Sequence, residues 1–402
     1  MKVLQINSVC GTGSTGRIAV QISDHLNGCG VENYIAHGFG KSDRPNTFCF
    51  GNDLDAHLHS FLSRKLGWQG KMSHFPTRRL IRYMERIAPD VVHLHNIHGH
   101  YLNYTMLFRY LKKRNCRVVW TFHDCWPVTG KCTHFAEAKC EKWKTGCFDC
   151  PQLERYPDSR RDRSRKAYQE KKAAFTALPD LHIVTVSQWL KSVAKDSFLG
   201  QADIHCIYNG VDTGKFCFRD STLREEYRLQ DKFVILSAAG VWNRGKGLDR
   251  FLELSKKLRE DAVIVLIGLS PDQQKDLPPN IIGIPAVKDP DLLTRWYSLA
   301  DVYLNFSLEE TFGLVVAEAM ACGTPAIVMN STACPEVVDA DTGFVVEPRD
   351  MDGVIAAIDR VKAEGKERYS EACKTRVREA FRVERMQEAY YKLYQKTGEK
   401  HV

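Results

Sequence analysis

Glu310-Thr-Phe-Gly-Leu-Val-Val-Ala-Glu318 is the stretch on which the reading of this chain turns. Before it lies Asp301-Val-Tyr-Leu-Asn-Phe-Ser307, an apolar run with the length and β-branched content of a buried strand. After it, Ala319-Met-Ala-Cys322 continues a helical pattern that stops at Gly323 and Pro325. The unit reads as strand, short loop and helix, with Glu310 on the loop and Glu318 about two turns into the helix. Backbone N–H groups at Thr311, Phe312, Gly313 and Leu314 open that helix, and such an opening attracts phosphate. A carboxylate beside a phosphate site and a second one further in suit a sugar nucleotide, because carboxylates accept hydrogen bonds from sugar hydroxyls. On this pair of glutamates alone, the reading of a solvated Glu310 and a Glu318 on the helix surface prevails, so the rest of the chain has to decide.

At 402 residues the chain exceeds the size at which one core stops growing, and two domains are expected. It contains no run of eighteen apolar residues, so no transmembrane helix is expected. Met1-Lys-Val-Leu-Gln-Ile-Asn7 reads as a strand rather than a signal peptide, which points to the cytoplasm. A net charge of +8 suggests an anionic partner without choosing among nucleic acid, lipid head groups and sugar nucleotides. Fourteen cysteines in a cytosolic chain should be reduced, buried or metal-bound rather than paired in disulfides.

The first half alternates strands with amphipathic stretches. Val3–Asn7, Asn33–His37, Val91–Asn96, Val118–His123, His182–Val186 and Cys206–Asn209 read as strands, with helices at Ile18–Leu26 and Tyr104–Lys113. The charged stretch from Asp220 to Asp231 reads as a linker region. A second alternating series follows: Phe233–Ala239, Val263–Ile267, Ile281–Ile284, Val302–Phe306, Ala326–Met329 and Gly343–Val346. This is an α/β chain with two doubly wound, Rossmann-like domains. Its expected divisions are 1–212, with a Cys-rich insert at about 125–157, then 213–380, and a C-terminal helix over 381–402 that packs back on the first domain. Two such sheets facing across a cleft would put both sets of strand C-terminal ends on that cleft, where open parallel sheets bind ligands.

Gly11-Thr-Gly13-Ser-Thr-Gly16 matches G-x-G-x-x-G after the first strand. A nicotinamide cofactor would need an acid at the end of the second strand, and Ala36-His37-Gly38 supplies none. The loop is read instead as close backbone approach to a diphosphate or acceptor, against the plain reading of a tight turn. Val118-Val-Trp-Thr-Phe-His123-Asp124 ends a strand in a polar pair, which favours a substrate-facing His123. His93, His95, His98 and His100 cluster after Val91-Val92; a metal site is conceivable there but no matching carboxylate spacing supports it, and at least one of them is expected to line the acceptor side.

Cys132, Cys140, Cys147 and Cys150 could close a tetrahedral structural zinc site; the alternative is a reduced loop that has its own small core. In the second half, Arg244 and Lys246 fall on a strand-to-helix loop at the same sheet edge as Glu310. There they could neutralise charge on a departing diphosphate. Between His57 and Arg86, Phe61, Leu62, Leu66, Trp68, Phe75, Leu80, Ile81 and Tyr83 are interleaved with Arg64, Lys65, Lys71, Arg78, Arg79, Arg82 and Arg86. That mixture reads first as a core face with solvated arginines, and second as contact with an anionic membrane surface. No nucleic-acid-binding motif accompanies the charge, so nucleic acid is not an expected partner.

Assembled in order, these pieces resemble glycosyltransferase family 4, with its GT-B arrangement of two facing Rossmann-like domains. The matching elements are the glycine loop, Thr121-Phe-His123-Asp124, Val186-Ser187, Tyr208-Asn-Gly-Val-Asp212, Lys246-Gly247, Glu310-x7-Glu318 and Gly323-Thr-Pro325. Trp120-Thr-Phe-His-Asp-Cys-Trp-Pro-Val-Thr-Gly130, the cysteines and Pro151-Gln-Leu-Glu-Arg-Tyr-Pro157 resemble a subgroup from bacterial colanic-acid and other exopolysaccharide pathways. The resemblance implies retaining transfer from a UDP- or GDP-sugar, with no metal or other cofactor required for catalysis. The acceptor it implies is a lipid-linked saccharide at the inner face of the cell membrane.

The resemblance also implies roles. Lys246, with Arg244, would stabilise the leaving diphosphate. Glu310 would face the donor sugar hydroxyls and Glu318 the nucleotide ribose. His123 would lie by the donor sugar, and Gly13 to Gly16 near the diphosphate and acceptor. One departure is Val241, where many relatives carry an arginine directly after the glycine matching Gly240. Two competing readings are a GT-B sugar-nucleotide epimerase, which needs no acceptor, and a non-catalytic nucleotide-sugar-binding protein, which turns nothing over.

Overall fold

The computed structural model describes residues 1–114 and 116–395. The chain divides into two compact units, Met1–Ile207 with the segment from Gln387 onward, and Tyr208–Met386. Residues 396–402 of the expected C-terminal helix lie outside the described residues.

The first unit is built on seven strands: β1 (Lys2–Val9), β2 (Glu32–Phe39), β3 (Thr47–Cys49), β4 (Val91–Leu94), β5 (Arg117–Phe122), β6 (Leu181–Thr185) and β7 (Asp203–Cys206). All pair in parallel, in the order β3-β2-β1-β4-β5-β6-β7. The central strands carry continuous apolar runs because helices cover both faces of a parallel sheet. Val3, Leu4, Ile6, Val91, Val92, Leu94, Val118, Val119 and Trp120 are all buried. The chain leaves β1 towards β2 and β3, then returns to lay β4 on the other side of β1. That reversal is a topological switch point, where successive crossovers leave a crevice at the strand C-terminal ends.

The second unit repeats the plan with β8 (Phe233–Ala238), β9 (Ala262–Ile267), β10 (Ile281–Ile284), β11 (Val302–Asn305), β12 (Ala326–Met329) and β13 (Gly343–Val346). The order is β10-β9-β8-β11-β12-β13, all parallel, so its switch point lies between β8 and β11.

Three local expectations change. Thr47–Cys49 is a strand that lacks an apolar run of its own, being three residues on a sheet edge. The stretch from Asp220 to Asp231 is packed rather than extended: it holds a short helix, Leu223–Glu226. Arg224 donates there to the carbonyls of Leu229, Lys232 and Leu299 and to both carboxylate oxygens of Asp301. The basic and aromatic stretch forms helices Asp53–Leu66 and His74–Ile87. Leu80, Tyr83, Met84 and Ile87 enter the core, as a core face requires, but Leu54, Leu58, Phe61 and Phe75 stand exposed by 85%, 53%, 52% and 62%.

Candidate functional site

In the second unit, β8 and β11 flank the switch point, and the loops that follow them carry Lys246 and Glu310. Asn243 caps the turn Arg244–Lys246 by accepting from the Lys246 N–H at 3.1 Å. Gly247 then adopts φ +76°, and a Cβ there would sit 2.4 Å from the Phe306 Cβ. Only glycine fits this close approach. The turn is thereby pressed against the segment after β11, and the Lys246 Nζ comes 2.5 Å from Oε1 of Glu310. Burial disfavours the Lys246 ammonium, but the Glu310 carboxylate outweighs it, so Lys246 titrates above the usual lysine range. The Glu310 backbone is itself oriented, its N–H donating to the Thr332 hydroxyl at 3.0 Å. Arg244 is exposed on the same turn.

The helix after this loop runs Leu314–Ala321, with Gly313 at its N-cap and no side-chain cap. Thr311 and Phe312 precede that cap. The first N–H groups of such a helix have no partner within it. Glu318 therefore lies little more than one turn in, not two. The helix is buried on nearly all sides, and Glu318 is 3% exposed, which removes the reading of a surface charge. The Tyr297 hydroxyl donates to Glu318 Oε2 at 3.2 Å. Asn305, the last residue of β11, accepts from the Ser307 N–H through Oδ1. Its buried Nδ2 has no hydrogen-bond partner among the described residues.

In the first unit the glycine loop follows β1 and opens the helix Gly13–Gly28, again without a side-chain cap. The Gly11 N–H donates to the Gly16 carbonyl at 3.1 Å, and a Cβ on Gly16 would crowd the Gly11 nitrogen at 3.1 Å. His95 follows β4 and His123 follows β5. The hydrogen bonds fix their tautomers. Gln5 donates through Nε2 to the Ala19 carbonyl, so its Oε1 faces His95 Nε2 at 3.0 Å and accepts that proton. His95 Nδ1 is then the acceptor for His123 Nε2–H, 3.0 Å away. Burial holds His95 well below its ordinary value and pushes His123 down to about 4, partly offset by Asp124. His123 is thus neutral, with Nε2 committed to His95.

The four-histidine cluster is not a metal group in this structure. His93 lies 2.7 Å from the Thr121 hydroxyl and 2.7 Å from the Tyr394 hydroxyl, while His98 lies 2.6 Å from Asp124 Oδ2. Of the four expected cysteine ligands, Cys132 and Cys150 come together with sulfurs 3.9 Å apart. Cys147 instead accepts the Gly130 N–H at 3.1 Å, and no three of these sulfurs lie within 4.8 Å of one another among the described residues. Two buried lysines underlie the loop, Lys131 donating to the Gln152 and Arg155 carbonyls and Lys171 to those of Trp126 and Thr129.

Gln5, Thr332 and Asn305 carry no signal in the sequence that assigns them to the site. Lys246-Gly247 is a matched element, but it reports the spacing of the turn rather than its partner.

Two parallel sheets, each with charged and polar groups gathered at its switch point, define a GT-B glycosyltransferase architecture. A Glycosyltransferase Family 4 model matches residues 15–215, half of the chain, and a model for glycosyl transferases group 1 matches residues 232–364. The chain belongs to glycosyltransferase family 4. It is 25% identical over 369 residues to WcaC of Escherichia coli K12, named as a colanic acid biosynthesis glycosyl transferase, covering 87% of this chain and 88% of that one. It is 29% identical over 225 residues to the N-acetyl-alpha-D-glucosaminyl L-malate synthase of Bacillus anthracis, covering 53% of this chain and 58% of that one. Among solved structures it resembles the sucrose-phosphate synthase of Thermosynechococcus elongatus, with TM-score 0.72 and 17% identity over 98% of both chains. It also resembles Anabaena HepE in complex with UDP, with TM-score 0.70 and 14% identity over 98% of this chain and 99% of that one. At those identities the structural likeness speaks for the fold. Among the described residues no helix is long and apolar enough to cross a membrane.

Proposed function

We propose that the chain transfers a hexosyl group, with retention, from a nucleoside-diphosphate sugar to a lipid-linked saccharide of a bacterial polysaccharide. The observation that carries this reading is the Lys246–Glu310 pair at the switch point of the second unit, beside an uncapped helix N-terminus. In the free protein the two groups neutralise each other. With donor bound, Lys246 and Arg244 turn to the diphosphate and Glu310 to the sugar hydroxyls. N–H groups from Gly313 and Leu314 add fixed positive charge, with Thr311 and Phe312 leading into the cap. Glu318, buried one turn further in, takes the ribose hydroxyls, and Asn305 Nδ2 offers a donor from the end of β11.

The chemistry is a front-face displacement. The anomeric C–O bond to the diphosphate breaks, the acceptor oxygen bonds the same face, and the departing diphosphate oxygen takes the acceptor proton. No protein nucleophile is required, and the cations and N–H groups stabilise the diphosphate. In the first unit, the glycine loop, Gly13 to Gly16, and His123 are the candidate substrate-binding groups. The WcaC likeness supports a polysaccharide acceptor, and the complexes of HepE with UDP and with UDP-glucose support UDP-sugars as first candidates. The exposed Leu54, Leu58, Phe61 and Phe75, interleaved with arginine and lysine, support peripheral contact with an anionic membrane that presents the acceptor.

The test is a donor screen. UDP- and GDP-sugars are scored for a rise in melting temperature, and each hit for nucleoside-diphosphate release with and without membrane lipid extract. One stabilising donor whose release depends on extract is the expected result. Stabilisation without turnover under any acceptor would replace the transferase reading with a binding protein, and extract-independent conversion of donor would replace it with an epimerase.

A further inference from the structure

At one edge of the first sheet, strands β6 and β7 bring together three side chains that the transfer chemistry does not use. The parallel register sets His182 beside Asp203, and the two-residue period of a strand puts His205 on the same face as Asp203. Asp203 Oδ2 lies 2.9 Å from His182 Nδ1 and 2.7 Å from His205 Nε2. The three ligand atoms all fall within 4.8 Å of one another, the only such group of three or more among the described residues.

The outer contacts decide what these atoms present. His182 Nε2 lies 2.8 Å from Asp180 Oδ1, and the other oxygen of Asp180 accepts from Arg117 Nε at 3.2 Å. An ionised carboxylate can only accept, so His182 Nε2 carries the proton. Nδ1 is then the ring atom that faces the carboxylate of Asp203. A carboxylate oxygen set between two imidazole nitrogens calls for positive charge there, which protons on the rings or one shared metal ion can supply. A histidine whose second ring nitrogen donates to a carboxylate, itself anchored by another group, is the outer arrangement of metal-bound imidazoles. Two imidazole nitrogens and one carboxylate oxygen form a donor set suited to Zn2+, with positions left open for water. The side chains of His182, His205 and Asp203 are 14%, 26% and 54% exposed, so an ion can reach them from solvent.

We propose that His182, Asp203 and His205 bind a Zn2+ ion that fastens the edge strand β7 to β6. β7 is only four residues long, and the chain passes from it, one residue later, into the second unit. A tie across β6 and β7 would hold that short edge strand to its one neighbour.

The experiment is calorimetric titration of Zn2+ into the full chain after EDTA treatment and removal of the chelator, with Mg2+ as control. His205→Asn and Asp203→Asn are run alongside. Thiols elsewhere in the chain can also take zinc, so the difference from the variants is what counts. The expected result is one equivalent more bound by the wild type than by either variant. A rise in melting temperature of about 5 °C or more at hundredfold excess over Kd should appear only in the wild type. Both variants change surface side chains, and a fold check by circular dichroism accompanies them. Equal zinc binding and equal thermal response in the wild type and both folded variants would overturn the site.

Discussion

The ammonium of Lys246 lies 2.5 Å from a carboxylate oxygen of Glu310, a residue 64 positions further along the chain. The contact joins the loops after β8 and β11, the two strands between which the sheet order reverses. Replacing either residue by alanine should lower transfer by about 10²- to 10³-fold, the range for removing one group that stabilises developing charge. Lys246 is partly exposed, so the fold should survive. Its raised value means that the pairing contributes fully below the ordinary lysine range and is lost only as pH rises through the higher folded value, so it is intact at neutral pH. Nucleoside-diphosphate release and circular dichroism together check this; near wild-type turnover in either variant would remove the pair from the mechanism.

Gly247 is the residue that allows the contact. Its φ of +76° and its approach to Phe306 predict that Gly247→Ala costs about 2–5 kcal/mol, from left-handed strain and overpacking together. Transfer should fall with it, because the turn that carries Lys246 must move. Gly240 on the same loop has open space where a Cβ would go, and Gly240→Ala should be nearly silent. Urea denaturation of the two variants makes the comparison, and similar losses in both would contradict the packing account.

Buried histidines predict an acid-sensitive fold. Burial lowers His59 to about 3, His100 and His123 to about 4, and His93 and His95 well below their ordinary value. The unfolded chain takes up protons below about pH 6.5 that these folded imidazoles refuse. Stability is therefore intact above pH 6.5 and declines as pH falls towards 4, by at most about 1.4 kcal/mol per unit for each group. Between pH 6.5 and 5 ordinary carboxylates stay ionised, so the histidines dominate. Urea midpoints at pH 7.5, 6 and 5 should step downwards; a flat series would mean that the imidazoles take protons without unfolding.

Tyr394 from the C-terminal helix and Thr121 from β5 hold the two ring nitrogens of His93, and Tyr390 lies 2.9 Å from the same threonine hydroxyl. Tyr394→Phe strips His93 Nδ1 of its partner in a fully buried place. The expected loss is about 1–3 kcal/mol, read as a lower melting temperature. Tyr390→Phe leaves both His93 contacts in place and should cost less.

Legibility in the sequence followed the range of the interactions. Strands buried on both faces announce themselves as apolar β-branched runs, and Ile281–Ile284, Ala326–Met329 and Gly343–Val346 fall where those runs lie. Thr47–Cys49 has no such run and exists because β2 offers it an edge. The pair of glutamates alone left Glu318 readable as a surface charge; its helix is apolar and buried almost all round, and the partner, Tyr297, sits 21 residues away. His182 and Asp203 are likewise 21 residues apart and meet only through the parallel register of β6 and β7. The cysteine spacing identified a set without saying which sulfurs meet. Local pattern gives elements and loops; partners that depend on register or on one glycine's close approach do not show in it.

The last prediction concerns the surface that the sequence read first as a core face. Leu54, Leu58 and Phe61 repeat at four and three residues along the helix Asp53–Leu66, which places them on one side, and all three are exposed. Lys65 on the same helix lies 4.9 Å from the Phe61 ring. On helix His74–Ile87, exposed Phe75 shares its face with Arg78 and Arg82. Burying each large apolar side chain in a bilayer is worth about 1.5–3 kcal/mol, and each basic residue near an anionic surface about 1 kcal/mol. The chain should therefore float with vesicles containing anionic phospholipid, and less so as salt rises. Leu58→Asp with Phe61→Asp should weaken that partition by more than tenfold, with little change in melting temperature, since neither side chain supports the core. Arg78→Gln with Arg82→Gln should weaken binding to anionic vesicles and leave the residual binding to neutral ones unchanged. Equal flotation of the aspartate variant and the wild type, or no flotation of either, would remove these exposed side chains from any membrane contact.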